Sequence, residues 1–160
     1  MASNLNIVYK NTISVDEVNS IRKSMGWRQL HPEQQKANLD GCVLILSAYA
    51  GDKAIAMTGL DWNGGSFAYL CVLLSPGYHN QGIEEEFTTQ IFDFLRSKLR
   101  PGYGIQVNIT ARCGYEKLYE NLGFELATPE NSGGVPMRIC LTNQVELTDK
   151  MFKQMGFNNE

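Results

Sequence analysis

From Pro76 to Phe87 the chain reads PGYHNQGIEEEF. A proline turn and a polar run lead into Gly82-Ile83, where an amphipathic pattern begins, so the stretch describes a loop feeding a helix N-terminus. The first N–H groups of a helix lack intrahelical partners and point outward, which makes such a junction attractive to a phosphate. Glu84, Glu85 and Glu86 stand closest to that site and allow two readings. Acids in a first turn complement the helix dipole by ~0.3–1 kcal/mol each. They also repel a second anion, by roughly 1 kcal/mol at ~4 Å in water and about 4 kcal/mol at an effective dielectric of 20.

Other residues could do chemistry but are less clearly placed. Cys42, Cys71 and Cys140 lie in apolar, strand-like runs and read as reduced, buried thiols. For nucleophilic work Cys71 needs a base or a positive field nearby, and its sequence neighbours supply neither. Asp61 precedes the Asn63-Gly64 turn and could reach a cleft as a base, although a turn role is the simpler reading. His31, before Pro32, reads as a residue at the start of a helix. Trp27 and Trp62 could wall a pocket or pack in the core.

These residues must be held by a set of elements that the pattern marks out. LNIVYK is a short first strand. Val15, Val18, Ile21 and Met25 recur at helical spacing between a Ser14 cap and a Gly26 stop. HPEQQKANL is a second helix with Pro32 in its first turn. CVLILSAYA, KAIAMTGLDW and SFAYLCVLLS follow as three strands, joined at Gly51-Asp52 and Asn63-Gly64-Gly65. Ile83, Phe87, Ile91, Phe94, Leu95 and Leu99 form one stripe, predicting a helix from Ile83 to Arg100 before Pro101-Gly102. IQVNIT is a fifth strand, and Arg112 to Leu122 a short helix stopped by Gly123. FELATPE and PMRICLT read as two more strands, and LTDKMFKQM as a terminal helix. The order predicts an α+β layer arrangement.

Length and composition bound the function. The 160 residues fit a single domain, taken as 1–160 with a C-terminal extension over 143–160. A net charge of −3 supplies no electrostatic footprint for nucleic acid or an anionic membrane. No apolar run is long enough to span a bilayer and the polar start lacks a signal-peptide core, so the expected location is cytoplasmic.

Two motifs together carry a resemblance: the Pro-x-Tyr-x-x-x-Gly-Ile loop before an amphipathic helix, and YEKLYENLGFE about thirty residues later. The chain resembles the GCN5-related N-acetyltransferases (GNAT), and in ISVDEVNSIRKSMGW and GGVPMRICL a bacterial subgroup of small acetyltransferases. The resemblance implies a mixed, mostly antiparallel sheet with helices on both faces and splayed central strands. It implies acetyl-CoA as cosubstrate, with its pyrophosphate wrapped by His79, Asn80, Gln81, Gly82, Ile83 and Glu84. His79 replaces the usual Gln or Arg of that loop, and Glu84 replaces the usual Gly or Ala. Main-chain groups of Leu73 and Leu74 would meet the pantetheine arm and thioester, and Tyr119 would be the general acid. Cys71 stands where the subgroup often has an acid.

The function then expected is direct acetyl transfer to a small amine or amino-terminal group in a ternary complex. The alternative is a catalytically degenerate binding module whose cofactor loop is impaired at Glu84. An acting enzyme should turn the Glu84 carboxylate outward; a degenerate one should fold it back over the helix N-terminus. No partner beyond the small amine is implied, although an exposed edge strand could support a homodimer.

Overall fold

The structure is a computed structural model and describes residues 6–139. The chain divides into two compact units, Met1–Thr110 and Ala111–Glu160.

The first unit is built on a five-stranded sheet in the order β1 (Ile7–Lys10), β2 (Leu44–Ala50), β3 (Lys53–Trp62), β4 (Phe67–Leu74), β5 (Gln106–Ile109). The first three pairings are antiparallel and the fourth is parallel. The parallel pair is possible because a helix crosses between its strands: α3 (Ile83–Arg96) supplies the long connection that a hairpin cannot. A two-residue turn opening with Gly51 at φ 59° joins β2 to β3. Asn63 closes the next turn by accepting from the Gly65 N–H.

Successive residues of β3 point to opposite faces, and both faces are covered over most of its length. Met57 packs in a cluster with Val18 and Ile21 of α1 (Val15–Ser24), together with Leu73, Tyr49, Ala54 and Ile13. Trp62, of opposite parity, meets Phe94 of α3 edge-on. The helices α1 and α3 therefore lie on opposite faces of the sheet. Buried Ile83, Phe87, Ile91 and Leu95 form the stripe by which α3 packs.

Helix ends follow the local chemistry. Ser14 and Glu17 form a reciprocal capping box at the start of α1. At its end Gly26 adopts φ 76°, and Trp27 and Gly26 donate to Arg22 and Lys23 carbonyls, a Schellman stop. Helix α2 (Pro32–Gly41) starts at His31, whose side chain accepts from the Glu33 N–H. Helix α3 stops at Arg96 rather than Arg100. The Lys98 and Leu99 N–H groups bond three residues back, to Leu95 and Arg96, and the residue before Pro101 is sterically steered out of the helical region.

The second unit contains α4 (Glu116–Asn121) and α5 (Pro129–Ser132). The strand expected over FELATPE is absent: residues 124–128 are irregular, and Thr128 then caps α5. Residues 136–139 of the next expected strand are also irregular. Its remainder, Cys140, the 143–160 extension and the terminal helix lie outside the described residues.

Candidate functional site

The loop after β4 is shaped by three left-handed residues, the first of them Gly77 at φ 90°. Asn80 has φ 60° and Gly82 φ 77°, the latter serving as N-cap of α3 without a side-chain cap. The Glu86 N–H bonds Gly82 O at 3.0 Å, so the N–H groups of Ile83, Glu84 and Glu85 precede the first intrahelical bond. This is the anion-attracting end expected from sequence.

The end is not empty of charge. Glu84 is only 5% exposed, and its carboxylate draws on its own backbone N–H. An oxygen of that carboxylate lies 3.7 Å from His79 Nδ1. Burial pushes the Glu84 pKa up; its backbone N–H and His79 pull the other way, and Glu85 adds to the rise. The carboxylate is therefore turned inward over the helix start. Gln81 and Gly82 are exposed and Ile83 is buried beneath them.

The backbone of β4 supplies the second feature. Its parallel pairing with β5 covers only Phe67–Leu70 against Gln106–Ile109. From Cys71 to Leu74 the strand has β3 on one side and no paired strand on the other among the described residues, which is the splay the resemblance implied. The Ser75 N–H donates to Ile55 O, making that opposed pair a hydrogen-bonded one. Such pairs alternate along an antiparallel ladder, so the main-chain groups of Leu73 turn towards Met57, and those of Val72 and Leu74 turn towards the open side. Of the pair expected from sequence, Leu74 therefore turns its main-chain groups to the open side and Leu73 does not; Val72 shares the orientation of Leu74.

A third group lies on the α1 face. Phe67, Tyr69, Cys71 and Leu73 share this face of β4, as Met57, Gly59 and Asp61 do on β3. Asp61 belongs to β3, directly opposite Tyr69, and not to the following turn. Cys42 caps the end of α2 and donates its thiol to Asp61 Oδ1 at 3.4 Å. Burial, with Asp61 and Cys71 adding, pushes the Cys42 pKa up to about 12. Cys71 is exposed rather than buried. Protein packed around its thiol nevertheless raises its pKa, with Arg22 opposing and Asp61 assisting, so nothing here makes it a thiolate nucleophile. Trp62 faces α3 and donates to Gly65 O, while Trp27 packs against the α1 core and under Arg22.

In the second unit Tyr119 is buried on α4 and meets Phe124 edge-on at 5.8 Å. Phe124 N–H bonds Tyr119 O and Gly123 N–H bonds Glu120 O, both at 3.0 Å, with Gly123 at φ 97°. The Tyr-x-x-x-Gly-Phe spacing is therefore a complete Schellman stop, including its apolar contact. That spacing has a structural cause whatever the phenol does.

No family model and no curated relative matches the sequence. Solved structures do. The chain is similar to a meticillin-resistant Staphylococcus aureus protein described as of unknown function and a probable acetyltransferase, at 18% identity and a TM-score of 0.70, covering 83% of this chain and 99% of that one. It is similar to a GNAT-family acetyltransferase of Streptococcus pneumoniae at 18% identity and a TM-score of 0.64, covering 87% and 98%. A Trypanosoma brucei acetyltransferase aligns at 14% identity and a TM-score of 0.61, covering 85% and 100%. The chain has the GNAT fold, α+β with an open mixed sheet and helices. Among the described residues no helix is long and apolar enough to cross a membrane.

Proposed function

We propose that the two units together form one cytoplasmic acyltransferase domain, an acetyl-CoA-dependent N-acetyltransferase acting on a small amine by direct transfer. The observation that carries this is the stretch of β4 from Cys71 to Leu74, which among the described residues is paired on one side alone and runs into the loop at the start of α3. Main-chain groups of Val72 and Leu74 can hold an extended amide-bearing arm as a missing strand would. The loop from His79 to Gly82 and the first N–H groups of α3 fit a pyrophosphate in backbone geometry. The bound cosubstrate would supply an activated thioester carbonyl. N–H groups on the open edge would hold its oxygen. The Tyr119 hydroxyl would hold the proton that the departing thiolate needs.

A second reading is favoured by one observation, the inward Glu84 carboxylate. It places a negative charge where the pyrophosphate belongs, as a non-catalytic binding module with a closed loop would.

Release of free CoA thiol from acetyl-CoA across a panel of primary amines separates the two. The enzyme reading expects amine-dependent release, reduced about a hundredfold or more by Tyr119→Phe. That substitution keeps the ring contact with Phe124. Absence of release with every amine, in the parent and in Glu84→Gly alike, would leave the binding-module reading.

A further inference from the structure

The sheet face opposite α3 carries residues that the acetyl-transfer reading leaves unassigned. Along β4 the side chains on this face pass from buried Leu73 to exposed Cys71, then to Tyr69 at 42% and Phe67 at 64% exposure. Ala68 and Leu70, on the opposite face of the strand, are buried, so this face leaves two large aromatic side chains open two residues apart. The Tyr69 ring is not loose, because its hydroxyl donates to Thr110 Oγ1 at 3.0 Å across on the β5 side.

Asp61 stands directly opposite Tyr69 and is exposed. Among the described residues its carboxylate has one hydrogen-bond partner, the Cys42 thiol on Oδ1. That thiol, protonated at neutral pH with a pKa of about 12, has one hydrogen to donate and also lies 3.2 Å from Asn38 O, so it leaves most of the acceptor capacity of the carboxylate open. Cys42 is itself seated over Gly59: a Cβ at that glycine would lie 2.7 Å from its sulfur. Arg22, the cation nearest Cys71, is 8% exposed, with Nε donating to Arg28 O and its guanidinium over Trp27. A solvent-facing carboxylate beside an aromatic floor complements a cation with an apolar body.

We propose that this face is the acceptor subsite, with Asp61 binding the ammonium of a primary amine and Tyr69 and Phe67 packing its aromatic body. The acceptor class is then an arylalkylamine without a carboxylate of its own. The proposal rests on the acetyltransferase reading only in calling this amine the acceptor; the binding itself is independent of it.

The test is calorimetric titration of the whole chain with 2-phenylethylamine, with 2-phenylethanol (no charge) and with phenylalanine (an added carboxylate). The parent should bind the amine at least about tenfold more tightly than either analogue. Asp61→Asn, nearly isosteric, should lose about tenfold or more, as expected for a charge-assisted hydrogen bond. Phe67→Ala, a surface change, should lose roughly two- to tenfold. Unchanged amine binding in Asp61→Asn, or no preference for the amine over 2-phenylethanol, overturns the proposal, as does an absence of binding. Asp61-dependent binding without acetyl-CoA turnover would sustain the subsite and defeat the enzyme reading. Turnover of amines indifferent to Asp61 would do the reverse.

Discussion

The Glu84 carboxylate lies 3.7 Å from His79 Nδ1 and folds over the start of its own helix, where it is almost wholly buried. The carboxylate takes up the N–H of its own residue at a helix start, so the loop carries its own anion where a phosphate would be drawn. Its charge is costly there, because burial pushes the pKa up despite help from the backbone N–H and His79.

A pH dependence of stability follows. A carboxyl with a raised folded pKa binds more protons in the folded than in the unfolded state between the two pKa values. Its stabilising contribution is complete below the ordinary value near 4.5 and is lost as pH rises through the raised one. Chemical denaturation should therefore find Glu84→Gln more stable than the parent at pH 7, with the difference shrinking as pH falls through the raised pKa and levelling off below about 4.5.

Thr58 predicts a stabilising substitution. It is fully buried on the α3 face of β3, and its Oγ1 has no hydrogen-bond partner among the described residues. Thr58→Val keeps the shape and removes a desolvated hydroxyl, so thermal unfolding should show a gain of about 1 kcal/mol.

The seat of Cys42 can be tested from below. Gly59→Ala would push a methyl to 2.7 Å from the sulfur, displacing the thiol from Asp61. The cost should be roughly 1 kcal/mol, because a single side-chain rotation relieves most of the clash. It should shrink in a Cys42→Ala background, which a double-mutant cycle measures.

Gly123 should resist replacement. At φ 97° it ends α4 in a conformation that costs an L-residue ~1–2 kcal/mol. Gly123→Ala should lower stability by about that amount, as read by chemical denaturation.

The sheet and its helices were readable because their signals are local. Ser14, Gly26, Pro32 and Gly51 punctuate the chain at positions where the backbone chemistry is strong. The later strands failed for the same reason: FELATPE looks β-like in isolation, yet Phe124 is spent closing the Schellman stop and Thr128 opens a capping box. Sequence singled out the loop before α3 as a candidate phosphate site, but not the rotamer of Glu84, since helix-dipole and phosphate-repelling roles demand the same residue type. Asp61 was read at the end of the strand KAIAMTGLDW, where it lies, but a turn role was the simpler reading beside Asn63-Gly64, and only the register shows it on a strand face opposite Tyr69. Cys42 as its partner could not be read, because the contact spans nineteen positions.

The most direct test is calorimetric titration with acetyl-CoA at pH 7 of the parent, Glu84→Gln and Glu84→Gly. Removing the charge should tighten binding by roughly tenfold or more, with the glycine variant at least as tight as the glutamine. Equal or weaker binding by both variants would show that the inward carboxylate does not guard the loop, and the account of this site would fail.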